Sequence, residues 1–478
     1  MTDKIGCLRN KLFHSAGDYA FFKEKSVIPD SLKDFYLSHV NAQVAMAESA
    51  LSSGEFDNLV IYGGGLSYRF RDDTSYPFRI NPYLARFAPL QAFTDCWLIL
   101  ADGRPKLLVR QSRDFWHKQA EFNDSVLKDA FDIEVYDEAQ KVIQSLNGLT
   151  GKTAVISEKT PDVFEQLNQL ELFSLNPSTV LNYIDFHCAI KTEYEIACIK
   201  EASDLGAVAH TQALRSFEQG KSEFQIHLDY LQSIAVEAHE LPYDNIIALN
   251  ENAAILHYTH RSRTAPQKPL SMLIDAGACY LGYNSDISRT YLYPSVQSSA
   301  ARDCFRGMLS SLDQAQKTLI DDIKPGVNYR DLHLRAHQKI AQILVDVGLV
   351  NASVDAAWAT NITSTFFPHG LGHFLGLQVH DKGGWLANDQ GETNPPPQEH
   401  PFLRLTRPIA AGQVFTIEPG IYFIPMLLEQ VKATSNAKLV NWSLLDELLP
   451  YGGIRIEDNI AVTETGSQNL TRAAFANI

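Results

Sequence analysis

The most regular pattern of apolar and polar positions in this chain lies between residues 270 and 293. An apolar run begins at Leu270 and stops at Asp275, which is typical of a buried strand. From Asp286 onward, large side chains alternate with small polar ones, which predicts a second strand with two distinct faces. The intervening segment contains two glycines and indicates a turn. The stretch is therefore predicted to be a β-hairpin.

The register of this hairpin decides where its two aspartates lie. If the hairpin is centred between Tyr280 and Leu281, Asp275 and Asp286 face each other on the same side. Two opposed carboxylates repel, and a bound cation would remove that repulsion. A solvated hairpin with acidic ends explains the stretch alone equally well, so the other segments of the chain have to decide between the two interpretations.

Further strands are predicted before residue 190. They occupy residues 58–62, 97–101, 105–109 and 153–157. The second and third flank Asp102-Gly103, a strong signal for a hairpin turn. The triplet Gly63–Gly65 follows the first strand, and we favour a tight turn over a phosphate-binding loop because no G-K-[ST] sequence follows. Residues 1–188 are predicted to form an α/β domain.

A second domain is predicted from residue 189 to residue 478. Two capping boxes, Thr192–Glu195 and Ser222–Gln225, indicate successive helix starts. Helical apolar spacing follows the first of them, and Gly220 is a plausible stop. Strands and helices then alternate to the end of the chain.

Composition narrows the function classes. The chain has 478 residues, enough for two domains, and its formal net charge of −15 argues against nucleic-acid binding through phosphate contacts. No apolar run approaches the roughly 20 residues that span a bilayer, and the N-terminal residues show no secretory signal. The six cysteines are scattered without a C-x-x-C pair. They are predicted to be reduced thiols of a cytoplasmic protein.

Three later segments contain candidate functional side chains. The glycine-rich stretch 366–381 contains three histidines, for which both a ligand role and a structural role remain open. Glu418 lies at the end of a predicted strand, where a carboxylate is usually just solvated. Arg455 and Glu457 share one face of the strand pattern GGIRIEDN, and a surface ion pair is the simplest interpretation of that spacing.

Together these segments contain four carboxylates and a histidine at the ends or edges of strands. Hard oxygen donors with one imidazole suit two divalent cations such as manganese, cobalt or zinc. Four negative charges nearly neutralise two dications and leave room for one hydroxide, which metals make available at neutral pH. The same cations would keep the four acids ionised.

Five segments in this order resemble one known family. They are LPYDNIIALNENAAILHYTH, DAGACYLGYNSDISRT, FFPHGLGHFLGLQVHD, FTIEPGIYF and GGIRIEDN, and the loop DDTSYPFRINP adds to the likeness. The chain resembles the metal-dependent peptidases of the pita-bread fold, and within them the bacterial prolidases (Xaa-Pro dipeptidases) that include organophosphorus acid anhydrolases. The resemblance implies an α/β (α+β) protein. A creatinase-like N-terminal domain would precede a pita-bread catalytic domain.

The resemblance also implies a role for individual residues. The implied metal ligands are Asp275, Asp286, His373, Glu418 and Glu457. The implied catalytic residues are Glu418, as the proton carrier, and His380, beside the developing oxyanion. The implied substrate-binding residues are Tyr243, His257, His369, Arg404 and Arg455, the two arginines either holding the substrate carboxylate or orienting bridging ligands. All five ligand positions are intact. The chain departs from the family at its longer N-terminus and at Cys279.

By resemblance, the expected reaction is hydrolysis of Xaa-Pro dipeptides by a metal-bridging hydroxide, with an organophosphate-cleaving side activity conceivable. Alternatives are an Xaa-Pro aminopeptidase (aminopeptidase P) that acts on longer peptides and a non-catalytic peptide-binding homologue. The expected cofactors are two divalent ions, with Mn²⁺ preferred over Co²⁺ or Zn²⁺. A homodimer is expected from the resemblance, whereas nucleic acid and membranes are not expected partners.

Overall fold

A computed structural model describes residues 27–101, 103–111, 115–116, 122–294 and 298–478 of the chain. These residues form two compact units. The first runs to Val180 and includes Tyr280–Gly282, and the second comprises Leu181–Cys279 and Tyr283–Ile478. The domain boundary after residue 188 stays a prediction.

The first unit is built on a mixed sheet in the order β4-β3-β2-β1-β5-β6. Its strands are β1 (Asn58–Tyr62), β2 (Trp97–Leu100), β3 (Lys106–Arg110), β4 (Asp132–Tyr136), β5 (Thr153–Ile156) and β6 (Phe173–Leu175). Strand β1 pairs antiparallel with β2 and parallel with β5. All four strands that the sequence predicts here are present. The helices are α1 (Lys33–Gly54), α2 (Pro82–Phe87), α3 (Ser125–Ala130), α4 (Gln140–Asn147) and the start of α5 (Ser178–His187), with short 3-10 turns between them.

The glycine triplet after β1 forms a turn, in agreement with the sequence. Gly64 has a φ of +94°, which residues with a Cβ rarely adopt. The amide of Gly63 donates to the carbonyl of Cys96, and the carbonyl of Gly63 accepts from Asn81. The glycine backbone is thus held by neighbouring backbone groups.

The second unit contains several small antiparallel sheets. Its strands are β7 (Ile246–Leu249), β8 (Ser271–Asp275), β9 (Cys279–Tyr280), β10 (Tyr283–Asn284), β11 (Ser288–Leu292), β12 (Val414–Ile417), β13 (Gly420–Tyr422), β14 (Gly453–Arg455), β15 (Asp458–Val462) and β16 (Ser467–Asn469). The main sheets have the orders β11-β8-β7, β12-β15-β16 and β13-β14. The carboxylates of the candidate site lie at the ends of these strands or between them.

The helices of the second unit follow the predicted starts. They are α6 (Glu193–Glu218), α7 (Glu223–Ser233), α8 (Ala300–Asp321), α9 (Tyr329–Asp346), α10 (Val354–Ala359), α11 (Thr363–Phe366), α12 (Pro425–Lys432), α13 (Trp442–Leu448) and α14 (Leu470–Ala476). Both predicted capping boxes are present, at Thr192 and at Ser222. Gly220 has a φ of +73° just after α6, as expected of a helix stop. Helices α8 and α9 contribute many side chains to the largest hydrophobic core of this unit.

The predicted register of the hairpin at 271–292 is wrong by one residue at its centre. Asp275 pairs with Ser288, so Asp286 is two positions from the residue that faces Asp275. The physical reason is the turn, where Leu281 and Gly282 have φ angles of +49° and +91° and form its central pair. Two adjacent positive φ angles are characteristic of the tight turns that match strand twist. The alternation still places Asp275 and Asp286 on one face.

Among the described residues, no helix combines the length and the apolar character that crossing a bilayer requires.

Candidate metal centre

The four carboxylates of the candidate site all lie at strand boundaries. Asp275 is the last residue of β8, and Asp286 lies two positions before the first residue of β11. Glu418 directly follows β12, and Glu457 lies between β14 and β15. The amide of Glu457 donates to the carbonyl of Ser288 over 3.0 Å, which fixes Glu457 beside the hairpin at 271–292. Strand ends therefore bring carboxylates from distant segments to one place.

His373 reaches this place from a long segment that pairs with β12. Its amide donates to Oγ1 of Thr416, and its carbonyl accepts from the amide of Thr416 over 3.0 Å. The neighbouring Gly372 allows this approach, because a Cβ there would lie 2.2 Å from the carbonyl oxygen of Thr416. The predicted role of glycines in this segment, close approach of the backbone, is present in the structure.

One ring nitrogen of His373 faces the carboxylates. Its Nε2 lies 3.5 Å from Asp286 Oδ2, 3.7 Å from Glu418 Oε1 and 3.9 Å from Glu457 Oε1. The other nitrogen, Nδ1, lies 2.9 Å from the carbonyl oxygen of Phe374. A proton on Nδ1 donated to that carbonyl leaves the Nε2 lone pair available to a metal ion, the usual arrangement for a ligand histidine.

Tyr243 connects the two aspartates of the hairpin. Its hydroxyl lies 2.7 Å from Asp275 Oδ1 and 2.5 Å from Asp286 Oδ1. A single O–H group can donate only one of these bonds at a time. The tyrosine thus holds two carboxylate oxygens close together without neutralising either carboxylate. Burial and the two aspartates raise the pKa of Tyr243 well above its usual value.

Arg455 is the cation that the fold provides next to these acids. It donates from Nη2 to Asp275 Oδ2 over 2.6 Å, from Nη1 to the Tyr422 hydroxyl and from Nε to Ser288 Oγ. Ser288 Oγ in turn donates to Glu457 Oε2 over 2.8 Å. The sequence spacing suggests a surface ion pair between Arg455 and Glu457. That interpretation is wrong, because both residues are buried and Arg455 pairs with Asp275.

The electrostatics of the cluster show an excess of negative charge. Burial raises the pKa of Glu418 to about 7 and that of Glu457 well above its usual value, with the neighbouring carboxylates adding to both. Burial also raises the pKa of Asp275, although Arg455 opposes it. Of the four, only Asp286 has a lowered pKa, because the effect of burial is outweighed by the combined effects of His373, Tyr243 and His380. Additional positive charge would therefore stabilise the ionised cluster.

An unpaired oxygen also favours a metal ion here. Glu457 is 2% exposed, and its Oε1 has no hydrogen-bond partner among the described residues. Asp286, His373 and Glu457 each contribute a ligand atom to a group whose atoms lie within 4.8 Å of one another. An orphaned buried carboxylate oxygen is costly unless an ion satisfies it. The donor set of carboxylates and one imidazole fits divalent cations such as manganese, cobalt or zinc.

The two remaining histidines of the glycine-rich segment border the cluster. His369 lies 2.8 Å through Nε2 from the Tyr422 hydroxyl and 3.7 Å through Nδ1 from Glu418 Oε2. The His380 ring packs edge-on against that of His373, with centroids 4.4 Å apart. Partial burial, followed by the neighbouring His373, lowers the pKa of His380 to about 3. Both histidines thus lie where a group bound at the carboxylates would meet them.

His257 and Arg404 are solvent-exposed. Their charges are near enough to contribute to the lowered pKa of His380, after burial and the effect of His373. They are exposed, whereas the implied ligands and Arg455 are buried or half-buried.

Sequence reasoning missed several residues that support the site. Ser288 connects Arg455 to Glu457. Tyr422 connects Arg455 to His369. Lys191 and Asp381 form a nearly fully buried ion pair of 2.7 Å directly after His380. Ser288 could have been found from the strand alternation, since it shares a face with Asp286. The Lys191–Asp381 pair joins positions 190 residues apart and left no local signal.

Comparisons with known proteins agree with this geometry. The sequence profile of metallopeptidase family M24 matches residues 197–464, and that of the Xaa-Pro dipeptidase N-terminal domain matches residues 34–186. The first match covers more than half of the chain, and the second accounts for much of the rest. The chain belongs to metallopeptidase family M24.

Curated relatives narrow the class further. An Xaa-Pro dipeptidase of Pseudoalteromonas atlantica is 42% identical over 442 residues, which is 92% of this chain and 98% of that protein. An Xaa-Pro dipeptidase of Shewanella oneidensis is 42% identical over 445 residues, 93% of this chain and 99% of that protein. Within the family, the chain is therefore an enzyme of the Xaa-Pro dipeptidase group, as the sequence resemblance predicted.

Solved structures agree with the predicted fold class. Zinc-substituted aminopeptidase P of E. coli in complex with product matches with a TM-score of 0.68 at 24% identity, covering 94% of this chain and 96% of that one. The same enzyme with the inhibitor Pro-Leu matches with a TM-score of 0.69 at 24% identity, with the same coverage. At this identity the likeness shows the fold, an N-terminal α/β domain followed by a pita-bread domain.

Proposed function

We propose that this metallopeptidase hydrolyses Xaa-Pro dipeptides, releasing a C-terminal proline. The observation that carries the proposal is the buried group of Asp286, His373 and Glu457, with Asp275 and Glu418 beside it, in a chain that matches Xaa-Pro dipeptidases along nearly its whole length. Non-catalytic homologues typically lose such ligands, and here all five are present.

We assign the metal ligands as Asp275, Asp286, His373, Glu418 and Glu457. Support comes from the Nε2 distances of His373, the shared Tyr243 contact and the unpaired Glu457 oxygen. Two divalent cations bound there would lower the pKa of water and so supply a nucleophile at neutral pH. Manganese is our first choice of metal, with cobalt and zinc as alternatives of the same ligand preference.

Side chains of the protein then transfer the proton and stabilise the negative charge that develops during the reaction. Glu418 receives the proton of the attacking water at a carboxylate oxygen and delivers it to the proline nitrogen, which must be protonated to leave. The two oxygens of Glu418 lie 3.7 Å from Nε2 of His373 and 3.7 Å from Nδ1 of His369, so its carboxylate borders both a proposed ligand and a proposed wall residue, as a proton carrier between water and substrate must. His380 lies beside His373 and is placed to stabilise the developing negative oxygen.

The proposed substrate contacts follow from burial. Arg404 and His257 are assigned to the substrate carboxylate, because both are exposed and both act on the pKa of His380. Arg455 makes three hydrogen bonds to protein groups, so we assign it to orienting Asp275. Tyr243 and His369 are assigned to the wall between the ligands and the substrate. An Xaa-Pro bond has no amide hydrogen, so this wall needs no acceptor for one.

Two related activities are considered beside dipeptide hydrolysis. Aminopeptidase P, which acts on longer peptides, is less well supported because its matches here are only 24% identical, against 42% for the dipeptidases. Hydrolysis of organophosphates is proposed only as a side activity of the same nucleophile. We further propose a homodimer in the cytoplasm, supported for the compartment by the free thiols of Cys96, Cys198 and Cys304.

The test is hydrolysis of Ala-Pro, Ala-Leu and Ala-Pro-Ala by chelator-stripped protein, with and without added Mn²⁺. Cleavage of Ala-Pro alone, and only with metal, is expected. Preferential cleavage of Ala-Pro-Ala would move the chain to the aminopeptidase P activity. Folded, metal-loaded protein that cleaves none of the three peptides would overturn the proposal.

A further inference from the structure

A second group of metal-binding side chains lies in the catalytic unit, apart from the carboxylates. His333 and His337 are one turn apart on α9, and His400 approaches them from the segment after the proline-rich loop. Their ring centroids are 4.7 Å apart for the helical pair, and His400 lies 4.6 and 4.4 Å from the two. One nitrogen from each ring belongs to a group whose atoms lie within 4.8 Å of one another.

The two helical histidines are buried with unsatisfied nitrogens. Both are 0% exposed, and His400 is 9% exposed. Neither ring nitrogen of His333 and not Nε2 of His337 has a hydrogen-bond partner among the described residues. Buried polar atoms without partners are rare in proteins and indicate a missing water or ion. Three unpartnered buried nitrogens on two adjacent rings are costly for the fold unless something binds them.

A hydrogen bond to Thr363 prepares His337 as a ligand. His337 Nδ1 lies 2.9 Å from Thr363 Oγ1. When Nδ1 carries the proton and donates it to Thr363, the Nε2 lone pair of His337 is left for coordination. Ligand histidines in metalloproteins are oriented in the same way by an acceptor on the second nitrogen.

The surroundings separate this group from the carboxylate cluster. The ring of Phe367 packs on His337 with centroids 4.9 Å apart and on His369 with centroids 4.8 Å apart. Phe367 thus stands between the three histidines and a residue at the edge of the catalytic cluster. Burial, followed by the neighbouring histidines, keeps the pKa of His333 and His337 well below the usual value, so both rings are neutral and have lone pairs.

We propose that His333, His337 and His400 form a separate site for one late first-row transition ion, of which Zn²⁺ is the expected occupant. Imidazole nitrogens are the ligands such ions prefer, and no carboxylate belongs to the group. Zinc–nitrogen bonds of about 2.0–2.1 Å place tetrahedral ligand nitrogens roughly 3.4 Å apart, so side-chain movements of about 1 Å close the site. Three protein ligands leave a fourth position for water.

An ion at this site would connect α9 to the segment that precedes Arg404. His400 begins a turn in which its carbonyl accepts from the amide of Leu403 over 3.2 Å. Fixing His400 to α9 therefore restrains the backbone next to Arg404. The site does not depend on the peptide specificity proposed above, because metal binding there is measurable without any substrate.

The test uses the full-length protein loaded with Co²⁺, whose visible absorption is intense in four-coordinate sites and weak in six-coordinate ones. The proteins are wild type, His333→Leu, His400→Leu and, as a control, His239→Gln, which removes an exposed histidine elsewhere. We expect His400→Leu to bind one Co²⁺ fewer per chain than wild type and the control do. The difference spectrum should be that of a four-coordinate ion, and Zn²⁺ should displace it.

The outcomes separate cleanly. If His333→Leu does not fold, His400→Leu decides alone, because its side chain lies on a loop and keeps contact with solvent. Equal Co²⁺ stoichiometry and equal spectra in wild type and His400→Leu would overturn the proposal. The proposal would also be overturned if the control His239→Gln lost as much bound Co²⁺ as His400→Leu. Loss of peptidase activity without loss of this ion would bear on the proposed function and not on this site.

Discussion

Arg455 Nη2 lies 2.6 Å from Asp275 Oδ2, and the two side chains are only 5% and 13% exposed. This contact joins residues 180 positions apart and places the guanidinium directly behind an implied metal ligand. The same guanidinium reaches Ser288, whose hydroxyl donates to Glu457. One arginine therefore orients two of the acids, and their repulsion is partly offset before any metal binds.

The first prediction concerns Arg455→Lys. Lysine keeps the positive charge but cannot replace three hydrogen bonds made by three different nitrogens. Loss of such supporting contacts typically costs about 10–100-fold in metal affinity or activity. We expect losses of that size in both kcat and Mn²⁺ affinity, measured by steady-state kinetics and by titration of the chelator-stripped protein.

A surface arginine provides the matched control. Arg306 makes an exposed pair with Asp303 over 2.7 Å. Arg306→Lys should leave both quantities unchanged, since exposed pairs contribute about 0–1 kcal/mol to stability and this one is remote from the ligands. If Arg455→Lys retained wild-type metal affinity, the orienting role assigned to Arg455 would be wrong.

The second prediction concerns the ligands themselves. Asp286→Asn and Glu418→Gln preserve side-chain shape but remove the negative charge that holds a cation. We expect kcat to fall about 100-fold or more while the far-ultraviolet circular dichroism stays that of wild type. Metal content should be measured on the same samples. Substantial turnover by a variant that carries its full complement of metal would remove that residue from the ligand set.

The third prediction distinguishes His380 from the ligands. Its ring packs against His373 but is not part of the group formed by Asp286, His373 and Glu457. His380→Ala should therefore lower kcat while metal content remains unchanged. A loss of metal from this variant would contradict the assignment. His380→Gln, which can still donate a hydrogen bond, should recover part of the lost activity.

Local sequence signals predicted the elements of the fold because each signal is a local physical constraint. The strands around Asp102-Gly103 pair Trp97 with Leu108, the register that a turn centred on those two residues requires. Asp102 itself lies outside the described residues. The hairpin at 271–292 deviates because its turn is centred on Leu281 and Gly282, and a positive φ at a leucine has no signal in the sequence.

The site was less predictable than the fold, for reasons of chain distance. Family motifs identified the ligand positions, but no periodicity connects Arg455 to Asp275 or Lys191 to Asp381. The group of His333, His337 and His400 was missed for the same reason. His333 and His337 share a helix face by spacing alone, whereas His400 reaches them only through tertiary folding. Contacts between distant segments depend on the whole packed core, and local patterns do not encode them.

The fourth prediction tests a helix cap. Ser222 Oγ accepts from the amide of Gln225 over 3.3 Å, and Gln225 Oε1 accepts from the amide of Ser222. Ser222→Ala should destabilise the start of α7 by about 1 kcal/mol. Hydrogen exchange of the Gln225 amide should accelerate accordingly. Ser311→Ala, at an exposed position within α8, should change stability by no more than about 0.5 kcal/mol.

The fifth prediction is a pH dependence of stability that arises at His227. This side chain is 5% exposed, and its Nδ1 faces the amide nitrogen of Asn245 at 3.4 Å, which suits a neutral ring that accepts. Burial, followed by the nearby Arg261, lowers the pKa of His227 from 6.5 to about 4. Because the folded state disfavours protonation, the contribution is fully present above pH 6.5 and is lost as the pH falls towards 4. The unfolding free energy should decline there by at most about 1.4 kcal/mol per pH unit from this group.

His227→Gln should remove that part of the decline, because glutamine does not titrate. The unfolding midpoint in urea, measured at intervals between neutral pH and pH 4, should fall less steeply for the variant than for wild type. His239→Gln, at an exposed histidine, serves as the control and should follow the wild-type curve. Parallel curves for wild type and His227→Gln would mean that His227 is protonated in the folded protein without cost, and the burial argument for this residue would fail.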